Sequence, residues 1–135
     1  HQIEAAADQI VRSLELEPNF ADAYLWQSLI LSTAKNGQAA QSAIQEGFRR
    51  NPNYSVTYIF ALGRALFAMH DYEAAFEQFE RSIERNPNFL PGRVYRVFTL
   101  EALGQADAAR QARTELEATH PRYEQSAGYR YFLSE

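Results

Sequence analysis

The stretch from Val56 to Pro87, VTYIFALGRALFAMHDYEAAFEQFERSIERNP, predicts two amphipathic helices joined by a short turn. Its first half places residues at the i, i+3, i+4 and i+7 spacing of one helix face: Ile59, Leu62, Gly63 and Leu66. Asp71 is a candidate N-cap for a second helix. One face of that helix carries Tyr72, Ala75, Phe76, Phe79 and Ser82. The second helix is predicted to end at Asn86, because the proline that follows cannot continue it.

The end of this stretch recurs along the chain. A proline followed two residues later by an aromatic residue occurs at intervals of 34, 35 and 34 residues. The four segments are Glu17-Pro18-Asn19-Phe20, Asn51-Pro52-Asn53-Tyr54, Asn86-Pro87-Asn88-Phe89 and His120-Pro121-Arg122-Tyr123. This regular spacing indicates that the helical pair is one unit of a repeat array.

The repeated unit resembles the tetratricopeptide repeat (TPR), a helix–turn–helix of about 34 residues. Val56–Asn88 carries the family's large, large, small and large positions in the first helix, its small, aromatic and small positions in the second, and its closing proline. These positions are Ile59, Leu62, Gly63, Leu66, Ala75, Phe79, Ser82 and Pro87. The resemblance implies an all-α fold, a right-handed α-solenoid, or superhelix, of antiparallel helix hairpins.

We expect the chain to form one solenoid domain of several repeats. The predicted units are a half-repeat (1–20), three full repeats (21–54, 55–89 and 90–122) and a C-terminal capping helix (123–135). The first residues, His1 to Ala7, align with His70 to Phe76, so residues 2–16 correspond to the second helix of a repeat. This alignment favours a piece of a longer protein, and a short natural N-terminal helix is the alternative.

The first full repeat has two competing registers. Counting from Pro18 places Tyr24, Ser28 and Leu31 on the packing face, whereas counting back from Gly37 favours Trp26, Leu29 and Thr33. We expect a first helix about two residues longer than usual, with its C-cap at Lys35-Asn36-Gly37, and a second helix shortened by a similar amount.

The third repeat follows the pattern at Val97, Leu100, Gly104, Ala109 and Leu116. Three arginines, Arg93, Arg96 and Arg113, stand where the family usually has apolar residues. Either their stems pack while their guanidinium groups reach water, or the helix is slightly rotated.

Composition restricts the function classes. The hydrophobic content of 46% is typical of an ordered chain, and the net charge of −4 disfavours a nucleic-acid partner. No apolar run is long enough for a membrane span. The absence of cysteine excludes disulfides and thiolate metal sites. Lys35 is the only lysine among 13 basic residues, a bias typical of a GC-rich bacterial genome, and the compartment is left open between cytoplasm and periplasm.

The family resemblance implies a concave groove lined by the first helix of each repeat, which receives a peptide segment or a helix of a protein partner. Arg64 is the strongest candidate within it, because a cation among rings can pair with a ligand carboxylate. Leu25 and Leu29 stand where family members that clamp acidic chaperone tails have polar groups, so that clamp is not expected. The predicted groove residues are Leu25, Trp26, Leu29, Phe60, Arg64, Phe67, Tyr95 and Phe98. Packing of several of these rings against neighbouring helices is the alternative interpretation.

No catalytic site is predicted. The three histidines, His1, His70 and His120, fall in turns, and none has a partner at metal-ligand spacing. No phosphate loop is present, and no cofactor or metal is expected. The sequence therefore predicts a non-catalytic interaction module or scaffold. The alternative is a structural or regulatory segment of a larger bacterial signalling or envelope-assembly protein, used for interdomain docking or for a homodimer through residues 2–16.

Overall fold

The computed structural model describes residues 20–125, which contain six α-helices and no β-strand. The helices are α1 (Ala21–Thr33), α2 (Gly37–Arg50), α3 (Val56–Ala68), α4 (Tyr72–Arg85), α5 (Leu90–Ala102) and α6 (Ala106–Thr119), followed by a 3-10 turn at Tyr123–Gln125. The predicted helix at residues 2–16 and the capping helix beyond residue 125 lie outside the described residues.

The helices form three antiparallel hairpins that stack in chain order. Within the hairpins, α1 contacts α2, α3 contacts α4 and α5 contacts α6, while α2 and α4 contact the first helix of the next hairpin. The first helices also touch one another, α1 against α3 and α3 against α5. This arrangement confirms the predicted all-α solenoid. We call the surface formed by α1, α3 and α5 the first-helix face.

The three hairpin turns share one backbone conformation. Lys35 and His70 have a φ of 62° and Gly104 has a φ of 76°, so the second residue after each first helix is left-handed. The next residue donates its N–H back into the helix in every case: Asn36 to Leu31 O at 2.8 Å, Asp71 to Leu66 O at 3.0 Å, and Gln105 to Leu100 O at 3.0 Å. These bonds satisfy carbonyls of the last turn of each first helix.

The hairpin of α3 and α4 packs as predicted. Ala75, Phe79 and Ser82 of α4 are fully buried. Phe79 lies directly against Gly63 of α3, where an added Cβ would stand 2.5 Å from the ring atom Cε1. The small residue at position 63 is therefore required by the close approach of the aromatic ring. Asp71 is the N-cap residue of α4, but its side chain makes no capping hydrogen bond.

The prediction of a lengthened first helix in the first repeat is wrong. Helix α1 has 13 residues, like α3 and α5, and α2 has 14, like α4 and α6. The left-handed turn at Lys35 ends α1 at the same point as in the other hairpins. The register counted from Pro18 applies, because Ser28 is fully buried and its Oγ donates to Ala40 O at 2.7 Å.

Arg93 and Arg96 of the third hairpin bind other groups of the protein. Arg96 bridges neighbouring helices, with its guanidinium 2.6 Å from Glu115 Oε2 and 3.5 Å from Glu80 Oε1. Arg93 is 9% exposed, and its Nε donates to Pro87 O at 2.7 Å. The predicted packing residues Val97, Leu100, Ala109 and Leu116 are all buried. The helix is therefore not rotated, and ion pairs and a backbone carbonyl bind the guanidinium groups of Arg93 and Arg96.

Candidate functional site

The first-helix face carries two hollows that adjoin at Arg64. The basic hollow has a volume of about 510 Å³ and lies where α1 and α3 end. The apolar hollow has a volume of about 280 Å³ and lies beside the earlier turns of α1 and α3 and the start of α5. Arg64 lines both, so the two hollows adjoin on a surface to which three helices contribute, and we call the pair the depression.

Arg64 is held in a defined position by its neighbours. Its side chain is almost completely buried, with 3% exposed. The guanidinium carbon lies 4.8 Å from the centroid of the Tyr95 ring, and Nη2 lies 3.4 Å from Thr33 Oγ1. The arginine of α3 therefore contacts both neighbouring first helices. A guanidinium over a ring face in a desolvated site is a strong form of cation–π contact.

Tyr95 is the centre of an aromatic cluster beneath the face. Its ring centroid lies between 5.4 and 5.5 Å from those of Phe60, Phe67, Phe79 and Phe98. Most of these pairs meet edge to face, the arrangement that ring quadrupoles favour. The cluster fixes the floor of the depression with side chains from α3, α4 and α5.

The apolar hollow is lined mainly by hydrocarbon. Trp26 and Leu29 of α1 form one side, Phe60 of α3 lies on the floor, and Phe89 and Pro91 at the start of α5 form the other side. Trp26 stands out among these residues because 49% of its surface is exposed. A half-exposed indole beside an apolar concavity is available for contact with a ligand side chain.

The basic hollow gathers positive charge and rings. Lys35, Arg64 and His70 line it, and none of its described lining residues is Asp or Glu. The ring of His70 stacks on Tyr72, with centroids 5.6 Å apart and planes 21° apart. Because Lys35 and Arg64 are cations, the hollow can accept an anionic group while its rings contact the attached carbon atoms.

Seven of the eight predicted groove residues line this depression. Trp26, Leu29 and Phe60 line the apolar hollow, Phe67, Tyr95 and Phe98 line the basic hollow, and Arg64 lines both. Leu25 lines neither: it is 3% exposed and packs with Ile44, Tyr58 and Ala61 between α1, α2 and α3.

The exposure of several predicted residues differs from the expectation. Phe60, Arg64 and Tyr95 are 3%, 3% and 2% exposed. Their burial follows from the contacts between successive first helices, which cover much of each side chain and leave one edge toward the depression. Neighbouring helices therefore cover most of the surface of these three side chains, as the alternative interpretation expects.

Sequence reasoning missed Lys35, His70 and Tyr72 as site residues. His70 was placed in a turn, which is correct, but turn residues were not expected at the depression. A signal was present: Lys35 and His70 are one repeat length apart and so occupy the same turn position.

Other kinds of site find no support within residues 20–125. No group of three or more His, Asp or Glu side chains in this part of the chain could hold a metal ion. None of its helices combines the length and apolar character needed to cross a bilayer.

Known proteins resemble this chain both in one segment of its sequence and in its fold. Residues 56–89 match a family model described as the tetratricopeptide repeat. A crystal structure of MamA is 19% identical, with a TM-score of 0.72 over 98% of this chain and 78% of the MamA chain. A crystal structure of YrrB, described as a TPR protein with an unusual peptide-binding site, is 20% identical, with a TM-score of 0.66 over 89% of this chain and 61% of the YrrB chain. No curated protein sequence matches the chain significantly.

At these sequence identities the likeness to MamA and YrrB concerns the fold. The matched segment, 56–89, contains α3, the short turn and α4, the hairpin that carries the eight repeat positions. Residues 56–89 are therefore a tetratricopeptide repeat, within a helical array that has the fold of tetratricopeptide-repeat proteins.

Proposed function

We propose that the chain is a non-catalytic protein-interaction module whose first-helix face binds a peptide segment or a helix of a partner protein. The observation that carries this proposal is that two hollows, which share Arg64 as a lining residue, lie side by side across α1, α3 and α5. Two adjoining hollows along three helices suit an elongated ligand better than a compact small molecule.

The residue types in the depression support the same proposal. Tryptophan, tyrosine and arginine are the residues that most often dominate binding energy at protein interfaces. Trp26, Arg64 and Tyr95 line the two hollows. The buried aromatic cluster beneath them provides a rigid floor, which lowers the entropy lost when a ligand binds.

The repeat organisation belongs to this proposal. We assign 21–54, 55–89 and 90–122 as three consecutive repeats, each contributing one first helix to the face. YrrB, which shares the fold, is itself described as having a peptide-binding site.

A random peptide library displayed on phage tests the proposal. The bait is the full chain, used beside two variants that each remove one half-exposed aromatic side chain: Trp26→Ala at the apolar hollow and Phe20→Ala away from both hollows. Trp26 is 49% exposed and Phe20 is 47% exposed, so the two substitutions remove similar exposed fractions. Both variants must first show the parent's circular-dichroism melt.

We expect the parent and Phe20→Ala to enrich the same peptides and Trp26→Ala to lose them. The proposal fails if no peptide is enriched, or if Trp26→Ala enriches the same peptides with the same affinity as the parent.

A further inference from the structure

The charge of the basic hollow is opposite to that of the chain. The protein has a net charge of −4, with 17 acidic and 13 basic residues other than histidine. Its only lysine, Lys35, lines this hollow together with Arg64 and His70, and no acidic side chain is among the described lining residues. This local reversal of charge selects for an anionic ligand group.

Two of the residues that line the basic hollow have a backbone conformation that is strained for residues other than glycine. Lys35 and His70 are the residues with positive φ other than glycine within the described part of the chain. The equivalent position of the third hairpin is Gly104, which lines neither hollow and would contact nothing if it had a Cβ. Glycine adopts this conformation without strain. The two strained turns are thus those whose residues line the basic hollow, a distribution typical of functional positions.

The separation of the hollows limits the spacing of a ligand's anchoring groups. Phe60 marks the apolar hollow and Phe67 the basic hollow, seven positions further along α3. At about 1.5 Å of rise per residue, the two rings are about 10 Å apart along the helix. A peptide in the extended polyproline II conformation advances about 3.1 Å per residue and brings every third side chain to the same side, so side chains three positions apart span this distance.

We infer that the ligand is an extended acidic peptide. It places an Asp or Glu side chain in the basic hollow, beside Lys35, Arg64 and His70, and a large apolar side chain in the apolar hollow, beside Trp26, about three residues away. This inference rests on the proposed function and specifies its ligand.

The sequences enriched by the parent chain in the phage selection provide the first test. We expect most of them to carry Asp or Glu at a distance of about three positions from Leu, Ile, Met, Phe or Trp. Enriched peptides that lack acidic residues, or that show an acidic and an apolar residue at a helical spacing of about seven, would overturn the inference while leaving the proposed function intact. A selection that enriches nothing would overturn the proposed function itself.

Variants of the protein provide the second test. The double variant Lys35→Asn/His70→Asn removes one cation and one imidazole ring, and asparagine tolerates the left-handed conformation. Arg81→Asn is the matched control, since Arg81 is an exposed cation of α4 that lines neither hollow. The probe is the most enriched peptide with a fluorescent label, measured by anisotropy beside a copy in which Gln replaces the acidic residue.

We expect the double variant to bind the acidic peptide at least about tenfold more weakly than the parent, as for the loss of a charge-assisted contact. The Gln peptide should bind the parent and the double variant equally, because it has no negative charge that Lys35 could attract. Arg81→Asn should bind both peptides as the parent does. Equal binding of the acidic peptide by the parent and the double variant would overturn the inference.

Discussion

The guanidinium group of Arg64 on α3 lies over the ring of Tyr95 on α5, 4.8 Å from its centroid. This contact joins successive hairpins where the two hollows meet, and so couples the position of the candidate binding residue to the packing of the array. The ring of Tyr95 is in turn fixed by Phe79 of α4, 5.4 Å away. The geometry of the depression therefore depends on side chains from three helices.

The contact between Arg64 and Tyr95 should be measurable as a coupling energy. In a double-mutant cycle with Arg64→Met and Tyr95→Leu, we expect the free energies of unfolding to be non-additive by about 1–2 kcal/mol, the range for a desolvated cation–π pair. Urea unfolding followed by circular dichroism measures all four proteins. Additive effects within error would show that the two side chains do not stabilise each other.

Phe79 and Gly63 form the closest approach within the second hairpin. Phe79→Ala should lower the free energy of unfolding by about 3–5 kcal/mol, because the side chain is fully buried. Gly63→Ala should lower it by about 1–3 kcal/mol, since the added methyl group would collide with the ring. Thermal melts give the comparison, with exposed Phe20→Ala as the control. An unchanged midpoint for Phe79→Ala would contradict the packing register.

The left-handed turns predict opposite effects of glycine and alanine. Lys35→Gly and His70→Gly should each raise the free energy of unfolding by up to about 1 kcal/mol, because glycine relieves the strain of a positive φ. Gly104→Ala should lower it by about 1 kcal/mol for the same reason. If peptide binding weakens in the two stabilised variants, these turns retain strained residues because binding needs their side chains. Destabilisation by both glycine substitutions would refute the strain argument.

Glu46 on α2 makes stability depend on pH in the acidic range. Hydrogen bonds from Arg49, and then from Arg50, lower the pKa of Glu46 from 4.5 to about 2. Because the pKa is lower in the folded chain than in the unfolded chain, the ionised carboxylate stabilises the fold above pH 4.5. This stabilisation is lost as the pH falls toward 2.

Between about pH 6 and pH 3, the melting temperature of Glu46→Gln should therefore fall less than that of the parent. The difference should be small, because the carboxylate is exposed to solvent. Glu77→Gln, at an exposed position on α4, is the control and should retain the parent's pH dependence. Identical acid-induced shifts for the parent and Glu46→Gln would contradict the assignment.

Much of the fold could be predicted from local patterns. The helical spacing of Ile59, Leu62, Gly63 and Leu66, together with the prolines at equal intervals, was sufficient for the hairpins and their order. The register of α1 was harder, because Trp26 and Leu29 are as apolar as buried residues although Trp26 is half exposed. Counting from Pro18 was correct, since the turn at Lys35 repeats the backbone conformation of the other turns.

The candidate site could be predicted only in outline. Helix periodicity shows which residues of a first helix point away from the second helix of the same hairpin. The packing of successive hairpins decides how far neighbouring hairpins cover those residues. Phe60 is buried against Phe89 and Tyr95 of the following hairpin, and Tyr95 is buried against rings of the preceding one. Lys35 and His70 line the basic hollow from turns with a positive φ, and helix periodicity carries no information about turn residues.

The most direct measurement uses the chain's single tryptophan, Trp26, which lines the apolar hollow. Its fluorescence is followed while the parent chain is titrated with an unlabelled peptide enriched in the phage selection. We predict a saturable blue shift and reduced quenching by acrylamide, because the ligand's apolar side chain covers the indole, and a much weaker response when Gln replaces the peptide's acidic residue. A peptide that binds by anisotropy but leaves the emission of Trp26 unchanged would contradict the account, since it would occupy a surface other than the first-helix face.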